Sequence, residues 1–272
     1  RGVAIRKALN MSPEEVIRRA GDRLVVCDDI DALHDRFAHD IADEITANNE
    51  AGRETKLIVP VGPTGQYPIL ARLVNEKKID LSATWFFYMD ENCDDEGHAL
   101  SADHPLSVKG DANRLFFSQL DADRRPSSDR VIFPDENNIG QIPALMREAG
   151  GIDACYGGIG IHGHVAFNEP EPGVSEMGPR KVHLNPFTLT INAVRSHVGG
   201  NLENFPATAY TVGMREILGA NRIRLYCRNG TDFDWANTVL RLALFGEPGD
   251  DYPVTHIRDR NYTIVTDRDT LA

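Results

Sequence analysis

Short apolar runs alternate along this chain with polar stretches that repeat at helical spacing. Ile30, Leu33, Phe37, Ala38, Ile41, Ala42 and Ile45 form one such stripe, behind Asp29 or Asp31, either of which can cap the helix. Asn48 to Arg53 breaks it. Lys56 to Val61 reads as a buried strand that runs into Gly62-Pro63-Thr64-Gly65, and a helix from about Pro68 to Lys77 follows. Thr84 to Met89 is a second strand, ending at Asp90-Glu91-Asn92, and Cys93 to Asp103 reads as an irregular loop. Arg130 to Phe133 and Ile152 to Tyr156 are further strands, with a helix over Ile142 to Ala149 between them. Strands at Ala209 to Val212, Ile223 to Cys227 and Tyr262 to Val265 complete the pattern, with helices near Met214 to Leu218 and from about Asp234 to Leu244. Short apolar strands alternating with helices imply an α/β fold, a mostly parallel sheet covered by helices on both faces. There is no internal repeat or linker, so residues 1–272 are expected to form a single domain.

Composition narrows the class. The 272 residues are 41% hydrophobic and 26% charged, ordinary for a globular protein. The net charge of −12, with no Lys/Arg-rich run, argues against a nucleic-acid partner, which normally leaves a basic footprint. Cys27, Cys93, Cys155 and Cys227 are widely separated, which disfavours a disulfide framework or a cysteine-rich zinc site. No apolar run approaches the roughly 20 residues that span a bilayer, and Arg1-Gly2-Val3-Ala4 lacks a signal-peptide core. The expectation is a cytoplasmic protein with no membrane partner. The chain does not open on Met, so its start is expected to be missing or processed.

Three unusual segments each follow the C-terminal end of a predicted strand, the rim where open α/β sheets bind ligands. Gly62-Pro63-Thr64-Gly65 offers backbone donors, a hydroxyl and a following helix N-terminus, which suit a phosphate; a plain strand–turn–helix connection reads equally well. In Asp90-Glu91, adjacent acids of an extended chain face opposite ways, so at most one faces a ligand. That carboxylate could shuttle protons with a raised pKa, and the bland alternative is a helix cap or a solvated loop. The richest segment is Gly157-Gly158-Ile159-Gly160-Ile161-His162-Gly163-His164-Val165-Ala166-Phe167-Asn168-Glu169-Pro170. Here His164 could act as general acid/base with Glu169 as its charged partner. Two alternatives stay open: a two-His, one-carboxylate metal site of His162, His164 and Glu169, or histidines without chemistry.

Pro63-Thr64-Gly65, Met89-Asp90-Glu91, His104-Pro105 with Phe116-Phe117, and the Gly157 to Pro170 run together resemble the glucosamine-6-phosphate deaminase (isomerase) family, in matching order across roughly residues 30 to 270. The related 6-phosphogluconolactonases share a Gly-His after a glycine-rich turn but lack Ala-Phe-Asn-Glu-Pro. The resemblance implies a three-layer, modified Rossmann-like fold, no cofactor, no bound metal, a small sugar phosphate as partner, and an open question of homo-oligomerisation. It implies that Asp90 shuttles the proton between C2 and C1 and that His164 assists ring opening with Glu169 as its carboxylate. Pro63, Thr64, Gly65 and Gly160 would belong to the substrate and phosphate cradle, and Arg180 and Arg195 fall near the family's anion-binding basic positions.

Two departures stand out. His162 occupies the place of the Asp that orients the family's catalytic His, so it joins the catalytic set in an altered role, and a second imidazole can lower its neighbour's basicity. The family's phosphate-binding Lys has no counterpart before Phe245-Gly246, where Thr231 to Asn237 hold two acids and a Trp instead. The leading expectation is isomerisation and deamination of glucosamine 6-phosphate to fructose 6-phosphate and ammonia, or the same chemistry on a closely related acidic sugar. Hydrolysis of a sugar-phosphate lactone and non-catalytic sugar-phosphate binding are the alternatives.

Overall fold

A computed structural model describes residues 2–196, 198–199, 201–230 and 235–272. In chain order the elements are α1 (Gly2–Leu9), α2 (Pro13–Ala20), β1 (Leu24–Cys27), α3 (Ile30–Glu50), β2 (Thr55–Val59), α4 (Gln66–Lys77), β3 (Thr84–Tyr88), β4 (Asp90–Cys93), α5 (Val108–Leu115) and β5 (Val131–Ile132). Then follow α6 (Ile142–Glu148), β6 (Ala154–Gly157), β7 (Arg180–His183), α7 (Pro186–Arg195), β8 (Thr208–Thr211), α8 (Met214–Leu218), β9 (Arg222–Tyr226), α9 (Ala236–Phe245), β10 (Tyr262–Asp267) and α10 (Arg268–Leu271). Seven strands form one sheet in the order β1-β10-β9-β6-β2-β3-β5, and every pair in it is parallel. A smaller antiparallel sheet, β4-β8-β7, stands beside it.

The period of two along each strand builds the layers. In β2, Leu57 and Val59 point into a core with α3 and α4, while Ile58 points into the opposite core with α6, α8 and α9. Phe86 and Tyr88 of β3 join the first core, and Phe87 joins the second. Both faces are therefore covered, as the uninterrupted apolar strands require. Helix α3 starts where expected: the Asp29 side chain accepts a hydrogen bond from the Ala32 N–H at 2.8 Å. No helix among the described residues is long and apolar enough to cross a membrane.

The antiparallel sheet was not foreseen. Asp90-Glu91-Asn92 reads in the sequence as the end of a strand, but it begins β4. The hand-over falls at Met89, whose N–H donates to Val59 O at 3.0 Å while its carbonyl accepts from Val212 N at 2.7 Å. These small-sheet strands mix polar with apolar residues and bury only part of each face, so their periodicity is weak. The helix expected from about Asp234 begins at Ala236, and Thr231 to Asp234 lie outside the described residues.

The floor beneath the C-terminal strand ends is aromatic. Phe37 of α3 is fully buried, and its ring stacks on Tyr226 of β9 with centroids 3.6 Å apart. The Tyr226 hydroxyl donates to Asp40 at 2.6 Å. Replacing Phe37 by Ala is expected to cost about 3–5 kcal/mol of stability, read as a lowered urea midpoint. A loss under about 1 kcal/mol would show that this stack does not anchor α3 to the sheet.

Candidate active site

Strand order places the site. From β2 the chain adds β3 and β5 on one side, then adds β6, β9 and β10 on the other, so the topology switches between β2 and β6. The crevice outside those two strand ends is where open α/β sheets bind ligands. A cleft of about 650 Å³ opens there, and Pro63, Thr64, Asp90, Gly160 and His164 all line it. The three rim loops singled out in the sequence thus converge on one cavity.

Asp90 and Glu91 diverge, because successive residues of β4 face opposite sides. Asp90 faces the cleft. Burial, with a smaller contribution from the neighbouring Glu91 carboxylate, pushes its carboxyl up to about 7. Glu91 is buried and accepts from the backbone N–H groups of Val108 and Lys109 at 2.9 and 2.8 Å and from the Ser107 hydroxyl at 3.1 Å. It therefore holds the N-terminus of α5, whose Asp111, Arg114 and Leu115 form part of the cleft wall.

The glycine-rich loop folds back on itself. Gly160 N donates to His164 O at 2.9 Å, and Gly163 N donates to Gly160 O at 2.8 Å. A methyl group on Gly160 would overlap the His164 imidazole, so only Gly permits this approach. His164 lines the cleft, and its buried Nδ1 has no hydrogen-bond partner among the described residues. Burial, reinforced by His162, pushes its pKa down to about 4. His164 is therefore neutral near pH 7, and the second imidazole acts against its charging.

His162 does not line the cleft. Its ring meets Phe187 edge-on with centroids 5.3 Å apart, and burial lowers its pKa. Nor does Glu169 reach His164: its carboxylate accepts from the Asn185 N–H at the start of α7, and no hydrogen bond or ion pair between the two is found among the described residues. The expected His–carboxylate couple is thus replaced by a helix-capping Glu169. Its carboxyl is raised, chiefly by burial. Among the described residues no group of three or more His, Cys, Asp or Glu side chains is placed to hold a metal ion.

Arg180 also departs from expectation. It pairs with Glu171 and donates to Asn168 Oδ1 at 2.9 Å, outside the cleft lining, where these contacts brace the loop. Arg195 does line the cleft. Gly65 packs against His34 of α3 just before α4, behind the lining residues Pro63 and Thr64. Of His104-Pro105, only Pro105 lines the cleft, and Phe116 lies in the core.

Sequence reasoning missed several positions. Asn168 is fully buried and donates to the carbonyls of Val165 and Val212 at 3.0 and 2.8 Å. Its Oδ1 accepts from Arg180 and from Met214 N. This one amide ties the glycine-rich loop to the end of β8 and the start of α8. Tyr226, Arg228 and Trp235 also line the cleft, at and beyond the end of β9. The strand-end rule that found the other three loops would have found this fourth one.

No family model matches the chain. Glucosamine-6-phosphate deaminase of Caenorhabditis elegans is 28% identical over 209 residues, 75% of this chain and 74% of that protein. The Clostridium perfringens enzyme of the same name is 25% identical over 254 residues, 91% of this chain and 97% of its own length. Among solved structures, a monomeric glucosamine-6-phosphate deaminase superposes with a TM-score of 0.78 at 24% identity, covering 91% of this chain and 98% of its own. 6-Phosphogluconolactonase from Thermotoga maritima superposes at 0.66 and 18% identity, covering 90% and 98%. Fold and cleft together define an α/β enzyme with its carboxylate and imidazole at the switch point of a parallel sheet. Over most of its length the chain is similar to glucosamine-6-phosphate deaminases, and its fold is like that of 6-phosphogluconolactonases.

The position of His162 makes a direct expectation. His162→Asp exchanges a repulsive imidazole for an attractive carboxylate, so the pKa of His164 should rise by about one unit or more, followed by NMR titration of its ring proton. An unchanged titration would mean that residue 162 exerts no field on His164.

Proposed function

We propose that the chain deaminates glucosamine 6-phosphate, giving fructose 6-phosphate and ammonia. The observation that carries this reading is the pairing, in one cleft, of a carboxyl poised near 7 with a neutral imidazole. A base whose pKa lies near the working pH can both take and return a proton. The matching name of the curated relatives supports the substrate.

In this scheme the neutral His164 accepts the anomeric hydroxyl proton and passes it to the ring oxygen, which opens the sugar to the free aldehyde. The Asp90 carboxylate removes the C2 proton and returns it to C1. As O1 takes up a proton and the amine gives one up, the C1 aldehyde becomes a hydroxymethyl group and the C2 amine becomes an imine. Water adds to that carbon, and ammonia leaves. The phosphate is assigned to the part of the cleft lined by Pro63, Thr64 and Arg195. Glu91, Asn168 and Glu169 act as braces for the elements that present these groups. All four cysteines are free, which fits a cytoplasmic setting.

A second reading keeps the cleft and changes the reaction: the structural likeness to 6-phosphogluconolactonases favours hydrolysis of a sugar-phosphate lactone. One assay separates them. Glucosamine 6-phosphate should yield ammonia and fructose 6-phosphate in equal amounts, and Asp90→Asn should lower that rate about 10²–10⁴-fold. Turnover of 6-phosphogluconolactone without ammonia release from the amino sugar would establish the second reading, and undiminished deamination by Asp90→Asn would remove the assigned base.

A further inference from the structure

The segment between α9 and β10 contributes nothing to the cleft lining, yet it is tied to the loop that carries His164. Residues Gly249 to Thr255 form two successive turns: Tyr252 N donates to Gly249 O at 3.1 Å, and Thr255 N to Tyr252 O at 2.9 Å. The Thr255 side chain is fully buried and locks both, accepting from Gly249 N at 3.0 Å and donating to Tyr252 O at 2.7 Å. Pro253 then opens a 3-10 helix, Pro253–Asp259, and the first N–H groups of a helix have no partner within it. The Val254 N–H is one of these, and it donates to Gly163 O at 2.7 Å. Among the described residues, this is the one hydrogen bond that reaches the Gly160–His164 turn from outside it. Gly163 has a φ of 69°, and a methyl group on it would lie 3.0 Å from Val254 Cγ1, so the two surfaces are in contact. A second tether lies further along the same loop. One carboxylate oxygen of Asp250 accepts from the Gly173 N–H at 2.8 Å, and the other meets His256 Nε2 at 2.9 Å.

We propose that the Gly249–His256 segment is a buttress that holds the His164 imidazole in place from behind the cleft, with Thr255 and Asp250 as its positioning residues. Thr255 sets the direction of the Val254 N–H, and through it the place of the Gly163 carbonyl. Asp250 pins the far end of the loop at Gly173. Gly163 has no side chain to limit its backbone, so the turn needs an external contact to keep one shape. The His164 ring lies against Gly160, buried, only while that shape is kept. A misplacement of about 1 Å can cost on the order of 10²-fold in rate, so a backbone tether remote from the substrate bears on turnover. The inference rests on the preceding functional reading only in taking His164 as a reacting group.

Titration of the His164 ring proton by NMR is the probe, because it needs no substrate. Thr255→Val keeps the branched shape and removes the hydroxyl. The loosened turn should admit water to the ring, and the His164 pKa should rise from about 4 toward its ordinary value. Thr255→Ser, which keeps the hydroxyl, should titrate as the wild type does. The Asp250–His256 pair is too exposed to carry much stability, so Asp250→Ala should keep the wild-type urea midpoint while moving the titration the same way. It decides the question alone if Thr255→Val does not fold. Asp250→Asn keeps an acceptor for the Gly173 N–H and should restore the wild-type titration. With glucosamine 6-phosphate, Thr255→Val and Asp250→Ala should each lower kcat about tenfold and leave KM within about twofold. A wild-type His164 titration in every folded variant, or a serine variant as impaired as the valine one, overturns the buttress. A raised titration in a protein whose wild type releases no ammonia from glucosamine 6-phosphate supports the buttress and counts against the deaminase reading.

Discussion

The hand-over of the chain at Met89 is the constraint on which the site depends. Its N–H stays with the parallel sheet, through Val59, and its carbonyl is already engaged by Val212 beside the antiparallel one. From that point β4 runs into a different sheet, and strand alternation assigns the next two acids to opposite duties. Asp90 faces the cleft, and Glu91 turns to the N–H groups at the start of α5. Had the chain simply turned into a loop at this point, nothing would fix which acid faces the cleft.

The same economy runs through the rest of the site. Polar groups that look catalytic in the sequence serve as struts between elements. Asn168 joins the glycine-rich loop to β8 and α8, Glu169 holds the start of α7, and Arg180 braces both through Asn168 and Glu171. Each is buried or half-buried and satisfies backbone groups that would otherwise be costly to bury. The groups that face the cleft include one carboxyl raised by burial, one imidazole lowered by burial, and arginines on the surrounding walls. Low solvation moves both pKa values toward the neutral forms, so near pH 7 the imidazole is neutral and the carboxyl stands close to the midpoint between its acid and its base.

Much of this was legible in the sequence, for identifiable reasons. The parallel sheet could be read because its strands are buried on both faces and therefore uniformly apolar, as in Leu57-Ile58-Val59 and Trp85-Phe86-Phe87. The convergence of three loops followed from the strand-end rule alone. The antiparallel sheet was hidden because Asp90-Glu91-Asn92-Cys93 and Arg180-Lys181-Val182-His183 carry polar residues on both faces. The roles of Glu169 and Arg180 were hidden because pairing across the fold depends on distances that spacing does not encode. Even so, the presence of His162 beside His164 pointed to a suppressed imidazole, and the electrostatics of the loop run in that direction.

The central claim is that Asp90 is the proton-transfer base and that burial sets its pKa near neutrality. The pH dependence of kcat/KM for glucosamine 6-phosphate tests this most directly, since it reports the essential groups of the free enzyme. Only the ionised carboxylate can take the C2 proton, so the rate should climb as pH rises through about 7 and level off above it. An acidic limb centred near 4, the range of an ordinary solvated carboxyl, would contradict the account.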